Sequence, residues 1–493
     1  MRHALFFLIA LLPACSGSSS GKDDAGTGSD TGSDSDGDTD SDGEWWHTFY
    51  GSSGYDSSKS LAVDQSGNLY VTGYSNASWN GPSGEGPLHP FSGGNDIFIL
   101  KLSSSGTYEW HTFYGSVGDD SGLSLAVDGN GNLYVKGYSE ASWNGPSGES
   151  PLNIFSDSSG YFDIFVLKLS SSGAYKWHAF FETGDNNLCD SLAIDGRGDL
   201  YLTGFSAVSW TGPSGQSPLH AFSGLIDILV LKLDSNGAYQ WHTFFGSEAG
   251  DYGNSIAVDQ SGDLYVTGES WLSWNGPAGE NPLHAISENM DIFVLKLSSS
   301  GAYQWHAFYG SDMEENVQSI AVDGKKNLYV TGFSNASWNG PGGESPLHVF
   351  SDASGTMDVY ILKLSSSGAY EWHTFYGSGS DSGSSLALDG SGDLYVTGDS
   401  KISWAGPNGE SPLNAFSGYW DIMVLKLDSN GSYKRHALYG SDNQDNGISI
   451  AVDGKGSVYV AGESWSSWNG PHGESPLHAY QGSGDIVVLK TKL

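Results

Sequence analysis

DIFVLKLSSSGAYQWHAFYG, Asp291 to Gly310, decides the fold. Ile292, Val294 and Leu295, then Tyr303, Trp305 and Phe308, are the β-branched, aliphatic and aromatic types that suit a pleated surface. The SSSG between the two runs is turn chemistry, so the stretch reads as a β-hairpin with no helix. Along the second run strict alternation places Tyr303, Trp305 and Ala307 on one side and His306 and Phe308 on the other. Near copies of the hairpin recur along the chain. Its opening acid returns as Asp96, Asp163, Asp227, Asp358, Asp421 and Asp485. The His beside the Trp occurs at His47, His111, His178, His242, His306, His373 and His436, spaced 64, 67, 64, 64, 67 and 63 residues apart. A period this long, filled with short strands, marks a repeat in which each unit is one small antiparallel sheet.

Working outward, each unit opens with a short apolar strand such as SIAVD, Ser255 to Asp259. A QSGD-type turn and a second strand, LYVTG from Leu264, follow. The Asp and Gly suit a tight turn. Calcium at these turns is the rarer use of the same residues, and no cofactor is expected. A loop of about twenty residues leads to the third strand, DIFVLKL, and the fourth, YQWHAFYG. The run from Trp45 to Gly51, WWHTFYG, is a fourth strand with no first three, and DIVVLKTKL from Asp485 is a third strand with no fourth. Together they complete one sheet. A solenoid would leave two open edges, whereas a ring pairs these fragments and removes them. The expectation is an all-β, seven-bladed β-propeller of four-stranded antiparallel blades, closed by residues 45–51 on the last blade.

Composition bounds the partners. The net charge is −37, and from Trp45 onward 48 acids face 18 bases, so nucleic acid is excluded as a partner. Residues 16–44 are Ser, Gly, Asp and Thr with nothing large to bury, and read as a disordered, acidic tether. Before it, Arg2, the apolar run Ala4 to Leu12 and LPAC form a secretory signal ending at Cys15. The apolar run is too short to span a bilayer as a mature helix. Cys189 occupies a repeat position held by Gly122, Gly253, Gly383 and Gly447, which marks a small residue rather than a reactive thiol.

With VDQSGDLYVTG, SWNGP, DIFVLKL and WHTFYGS in hand, the chain resembles the SBBP family of bacterial seven-bladed propeller repeats over residues 45–493. The resemblance implies a secreted or surface-attached protein with no shared catalytic activity. LPAC likewise resembles a bacterial lipoprotein signal, which implies residues 1–15 as leader, Cys15 as the lipid-bearing first mature residue, and a cell-envelope location with the lipid as the only membrane contact. Ser16 after the Cys, by resemblance to enterobacterial sorting, implies the outer membrane or cell surface. The loop GPSGESPLHAFS departs from the family pattern. A monomeric propeller is expected.

That loop, SWNGPxGExPLHxFS, carries the candidate ligand-binding residues Trp79, Trp143, Trp210, Trp274, Trp338, Trp404 and Trp468. In a propeller it opens on the same face as the fourth-to-first connection, where Asp56, Asp120, Asp251, Glu315, Asp381 and Asp445 recur and Asn187 breaks the series. Indoles can stack on sugar rings, with Glu85, Glu149, Glu280, Glu344, Glu410 and Glu474 accepting hydroxyls and Gln216 replacing the acid in the third copy. The plainer reading, favoured because a long ordered loop must bury something, is that Trp, Pro and Leu fold it down over the blade. Likewise the Asp residues opening the third strands can ring a cation, but accepting backbone amides is the commoner use.

A catalytic centre needs unlike groups converging once. Here seven His are in fourth strands, five are in PLH loops (His89, His220, His284, His348, His478), and only His3 and His472 remain. No catalytic residue is singled out. The function expected is a non-enzymatic binding or scaffold module for surface glycan or protein. A polysaccharide lyase or hydrolase is the alternative, since paired carboxylates are plentiful.

Overall fold

The computed structural model describes residues 45–154, 162–181, 189–287, 289–351 and 357–493. The leader with Cys15, the tether 16–44 and Asn187 lie outside them. In the fourth unit, Asp251–Val258 is the inner strand, followed outward by Leu264–Ser270, Asp291–Leu297 and Tyr303–Tyr309. Six such sheets follow the chain in the order first, second, third, fourth. The seventh begins at Asp445, and its outer strand is Trp46–Tyr50, paired antiparallel to Asp485–Thr491 with Trp46 opposite Lys490 and Tyr50 opposite Ile486. The chain is therefore a seven-bladed propeller closed by its N-terminal strand.

Both sides of each blade are apolar because each faces a neighbour. Every one of the seven core clusters draws on adjacent blades. In one, Trp46 and Tyr50 pack with Leu61, Val71 and Phe98 of blade 1; in the next, Phe49 packs with Val424 and Ala437 of blade 6. Seven hydrogen bonds tie the inner strands into a closed circle. The Ser of SIAVD or SLAVD accepts an amide from the next blade, as Ile320 N to Ser255 Oγ (3.2 Å) and, across the closure, Leu61 N to Ser449 Oγ (3.0 Å). The serine recurs in all seven inner strands, and the ring explains why.

An inner bulge in every blade and an outer one in all but blade 7 modify simple alternation. In the outer hairpin the register shifts between Lys296 and Leu297, which pair with Trp305 and Tyr303. The slip corrects the side assignment above: Tyr303 packs with His306 and Phe308 against blade 3, while Trp305 and Ala307 face blade 5. In the inner strand the shift falls between Gly253 and Ser255, leaving Asn254 as the extra residue. Opposite it, a Cβ on Gly268 would lie 1.7 Å from the Tyr252 carbonyl oxygen, so the Gly of LYVTG is required by backbone contact.

Candidate functional site

The long loop does not stand up from the face of the ring; it folds down the rim. Leu283 N donates to His306 O (2.8 Å) and Phe308 N to His284 O (3.2 Å), so PLH runs along the outer strand and covers an edge that would otherwise expose unpaired backbone. A relay locks it there. The indole of Trp274 stacks on the His306 imidazole at 3.8 Å and 8°, and the other six Trp/His pairs lie at 3.7–4.2 Å. His306 Nε2 donates to Trp274 O (3.0 Å) while Nδ1 accepts from the Tyr303 hydroxyl (2.8 Å). A carbonyl can only accept, which settles the tautomer. Burial lowers the imidazole to about 4, so it stays neutral.

This geometry places the seven Trp named as candidate ligand residues. Trp79, Trp143, Trp274, Trp338, Trp404 and Trp468 are 5–7% exposed and Trp210 is half-buried, each with one indole face against its His. The fourth-to-first acids are buried too: Asp251 Oδ2 accepts Ser247 N (2.6 Å) and Oγ (2.8 Å), and Ser270 Oγ binds Oδ1. The third-strand acids accept amides just upstream, as Ser287 N to Asp291 Oδ2 (2.7 Å). Glu280 caps its own turn through Ala278 N (2.8 Å) and points into solvent. We expect His306→Ala to cost about 3 kcal/mol, because it opens a cavity and strands two polar partners. Tyr303→Phe should cost about 1 kcal/mol, since His47 already lives with an unpartnered Nδ1. Chemical denaturation of the two variants checks the difference.

What the rim does expose is apolar. Leu88, Leu152, Leu219, Leu283, Leu347, Leu413 and Leu477 are 48–56% exposed. All but Leu413 reach toward the SSSG-type turn of the next blade, which blade 7 lacks because its outer pair is made of the two chain ends; Leu219 lies over Gly301, whose φ of +80° admits no ordinary side chain without strain. Between blades 3 and 4 a groove of about 420 Å³ runs between Leu219, His220 and Phe245 on one side and Pro277, Glu280 and Tyr303 on the other.

The inner wall carries residues that sequence reading passed over. The extra residue of the inner bulge is Lys59, Asp190, Asn254 or Gln318 in four blades and Leu123, Ser384 or Ile448 in the others. The residue after the second-strand Gly is aromatic in Tyr74, Tyr138, Phe205 and Phe333 but acidic in Glu269, Asp399 and Glu463. These positions break the repeat, and that departure was the signal available.

Three stretches, residues 46–78, 240–271 and 436–467, match the family model described as beta-propeller repeat, SBBP. Each runs from an outer strand into the next blade's inner hairpin. The propeller carries SBBP repeats at these three places. Among curated proteins it is 23% identical over 439 residues to an uncharacterized WD repeat-containing protein of Acanthamoeba polyphaga mimivirus, covering 75% of this chain and 31% of that one. It is 25% identical over 397 residues to the regulatory protein FlaEY of Caulobacter vibrioides, covering 74% and 38%. The chain thus spans about a third of the length of these relatives. Among solved structures it is similar to a protein of unknown function from Dyadobacter fermentans (10% identity, TM-score 0.44, 91% of this chain and 98% of that one). The Pan2 WD40 domain of Neurospora crassa gives 8%, 0.42, and 88% of each chain.

Proposed function

We propose that this SBBP propeller is a non-enzymatic binding scaffold of the bacterial cell envelope, anchored through Cys15 and spaced from the membrane by residues 16–44. Its rim presents leucines to a protein partner bearing repeated neutral or basic segments. The observation that carries this reading is the sevenfold series of half-exposed leucines, one in each blade's long loop. Isolated exposed apolar residues are ordinary, but a periodic set around one rim suits a repetitive partner, with avidity from several weak contacts. A body with 30 more acids than bases selects against acidic partners. Protein is favoured over sugar because the indoles that would stack on a ring have a face committed to His.

The test is binding of the full chain to envelopes of the producing bacterium, with and without protease treatment. A variant carrying Leu219→Asp, Leu283→Asp and Leu347→Asp is run beside it. Binding should fall more than tenfold in both arms as avidity is lost. Binding that survives protease and is lost on periodate oxidation would assign a glycan instead, and release of sugar fragments would make the protein an enzyme. Independently, Cys15→Ser should move the protein from the membrane to the soluble fraction; a variant that still sediments with membranes would remove the anchor.

A further inference from the structure

Because the long loops fold down the rim, the face they leave is made of shorter connections, and at the seam between blades 6 and 7 these are aromatic. Tyr419 and Trp420 stand just before the third strand of blade 6, where blade 1 has Gly94 and Asn95 and blade 7 has Ser483 and Gly484. Trp465 follows the second strand of blade 7, at the position of Asn76 in blade 1. The fourth-to-first connection runs between them and laces the three segments together. Asn443 O accepts Tyr419 N (3.3 Å) and Trp420 N (3.4 Å), and Gln444 O accepts Trp465 N (3.0 Å). Asn443 Nδ2 donates to Trp465 O (3.4 Å), and the Trp465 ring lies 5.4 Å from that of Tyr55.

Unlike the loop indoles, which stack on His, these rings face solvent: Tyr419 is 58% exposed and Trp465 38%. A clustered set of exposed rings marks a contact surface, and a laced backbone holds them without ordering cost on binding. Charge narrows what covers them. Lys401 Nζ lies over Tyr419 and Trp420, 5.9 and 5.5 Å from their centroids, so the cation that such rings attract is already supplied and a second would be repelled. An acidic ligand would meet the field of a body with 30 more acids than bases, and Asp442, next to Asn443 in the chain, is exposed. A neutral molecule with apolar faces and a hydroxylated edge fits both limits, since Asn443, Asp442 and Lys401 offer donors and acceptors beside the rings.

We infer that the seam between blades 6 and 7 binds a neutral hexopyranose chain, stacked on Tyr419 and Trp465 with its hydroxyls held by Asn443 and Lys401. A gluco-configured sugar suits the rings, because equatorial hydroxyls leave axial C–H groups on both of its faces. The seam between blades 3 and 4 is the natural control: Trp271 N donates to Gly250 O (3.3 Å) as Trp465 N does to Gln444 O, but Leu225 and Ile226 replace the facing Tyr and Trp. The site is independent of the rim leucines. Being single, it is monovalent and weak, and adds little to capture that depends on avidity.

Cellopentaose titrated calorimetrically into the full chain tests it. One saturable site is expected, with the same affinity at low and high salt because the ligand is uncharged. Tyr419→Ala and Trp465→Ala should each weaken it about fivefold. Trp271→Ala, and the rim variant with three leucines changed to Asp, should leave it unchanged. Should Trp465→Ala fail to melt cooperatively, Tyr419→Ala, whose ring is more than half exposed, carries the test alone. Absence of saturable heat, or equal affinity in the parent and the folded Ala variants, overturns the inference whatever the rim does. Sugar binding lost in the rim variant would move the sugar to the rim and overturn it as well. A chain that takes no cellopentaose, but whose capture by untreated envelopes falls in Tyr419→Ala, gives this seam to a protein partner instead.

Discussion

A full chain from which residues 45–51 are excised is expected to lose its cooperative unfolding transition and to associate. The segment supplies the outer strand of blade 7, and with it Trp46, Phe49 and Tyr50, all buried between blades. Each large side chain withdrawn from water is worth about 1.5–3 kcal/mol. Their sum is comparable with the net stability of a typical domain, about 5–15 kcal/mol. The excision also uncovers Asp485–Thr491 as an apolar edge with unpaired backbone, which templates pairing between chains. Melts followed by near-ultraviolet circular dichroism, together with size-exclusion chromatography, read both effects. A peptide of residues 45–51 added in excess should restore part of the transition. The milder Phe49→Ala should cost about 3–5 kcal/mol. An excised chain that melts cooperatively within a few degrees of the parent would show that the ring does not depend on its closure.

The second large effect is on pH. Burial, with an opposing acid across the blade seam, pushes Asp96 and Asp485 up to about 7; Glu315 is raised to the same value beside Asp291. Burial also raises the inner-wall acids Glu269 and Asp399 to about 7 and Asp190 to about 8. An acid held up in the folded state takes its proton there before the unfolded chain does, so folding takes up protons and stability falls as pH rises through 7. The seven outer-strand histidines act the other way. Burial lowers each to about 4 from an ordinary 6.5, so their contribution is lost only as pH falls from about 6.5 toward 4.

The two sets therefore separate on the alkaline side. Between about pH 8 and 6.5 only the acids titrate, and the melting temperature should climb on acidification, by roughly 1 kcal/mol of stability for each raised acid. Below about 6.5 the histidines oppose the remaining gain and the curve should flatten. Melts in buffers of matched ionic strength check the shape. A melting temperature that is level or falls from pH 8 to 6.5 would mean that the seam acids are not held protonated.

The reasons that some features were legible and others were not are physical. Blade number came from counting Asp96 and its equivalents, because a repeat that buries its faces only against copies of itself must reproduce the same apolar pattern each time. Closure came from WWHTFYG and DIVVLKTKL as two halves of one sheet. The loop was harder. Its length called for burial, and His306 beside Trp305 was visible in every copy, but nothing local says that a His will stack on a Trp 32 residues earlier and donate to its carbonyl. Tyr303 was assigned to the wrong side because alternation assumes an unbroken register, and a bulge slips it by one. The inner wall escaped notice because attention to what repeats passes over what does not. Lys59 and Asp190 are the two charges in a column that otherwise varies from Asn to Ile, and Glu269, Asp399 and Glu463 replace an aromatic in theirs; a charge on the inner wall costs enough to mark the place.

By itself the sequence determined the strands, their number and the ring that joins them, since hydrophobic period and turn chemistry are local quantities that each unit restates. Only the tertiary structure decided where the polar groups meet. Glu463 and Lys59 are separated by almost the whole chain, yet they touch because circular closure brings the first inner strand beside the last. Which carboxylate has a partner, and which is buried without one, depends on contacts between blades that no stretch of sequence contains.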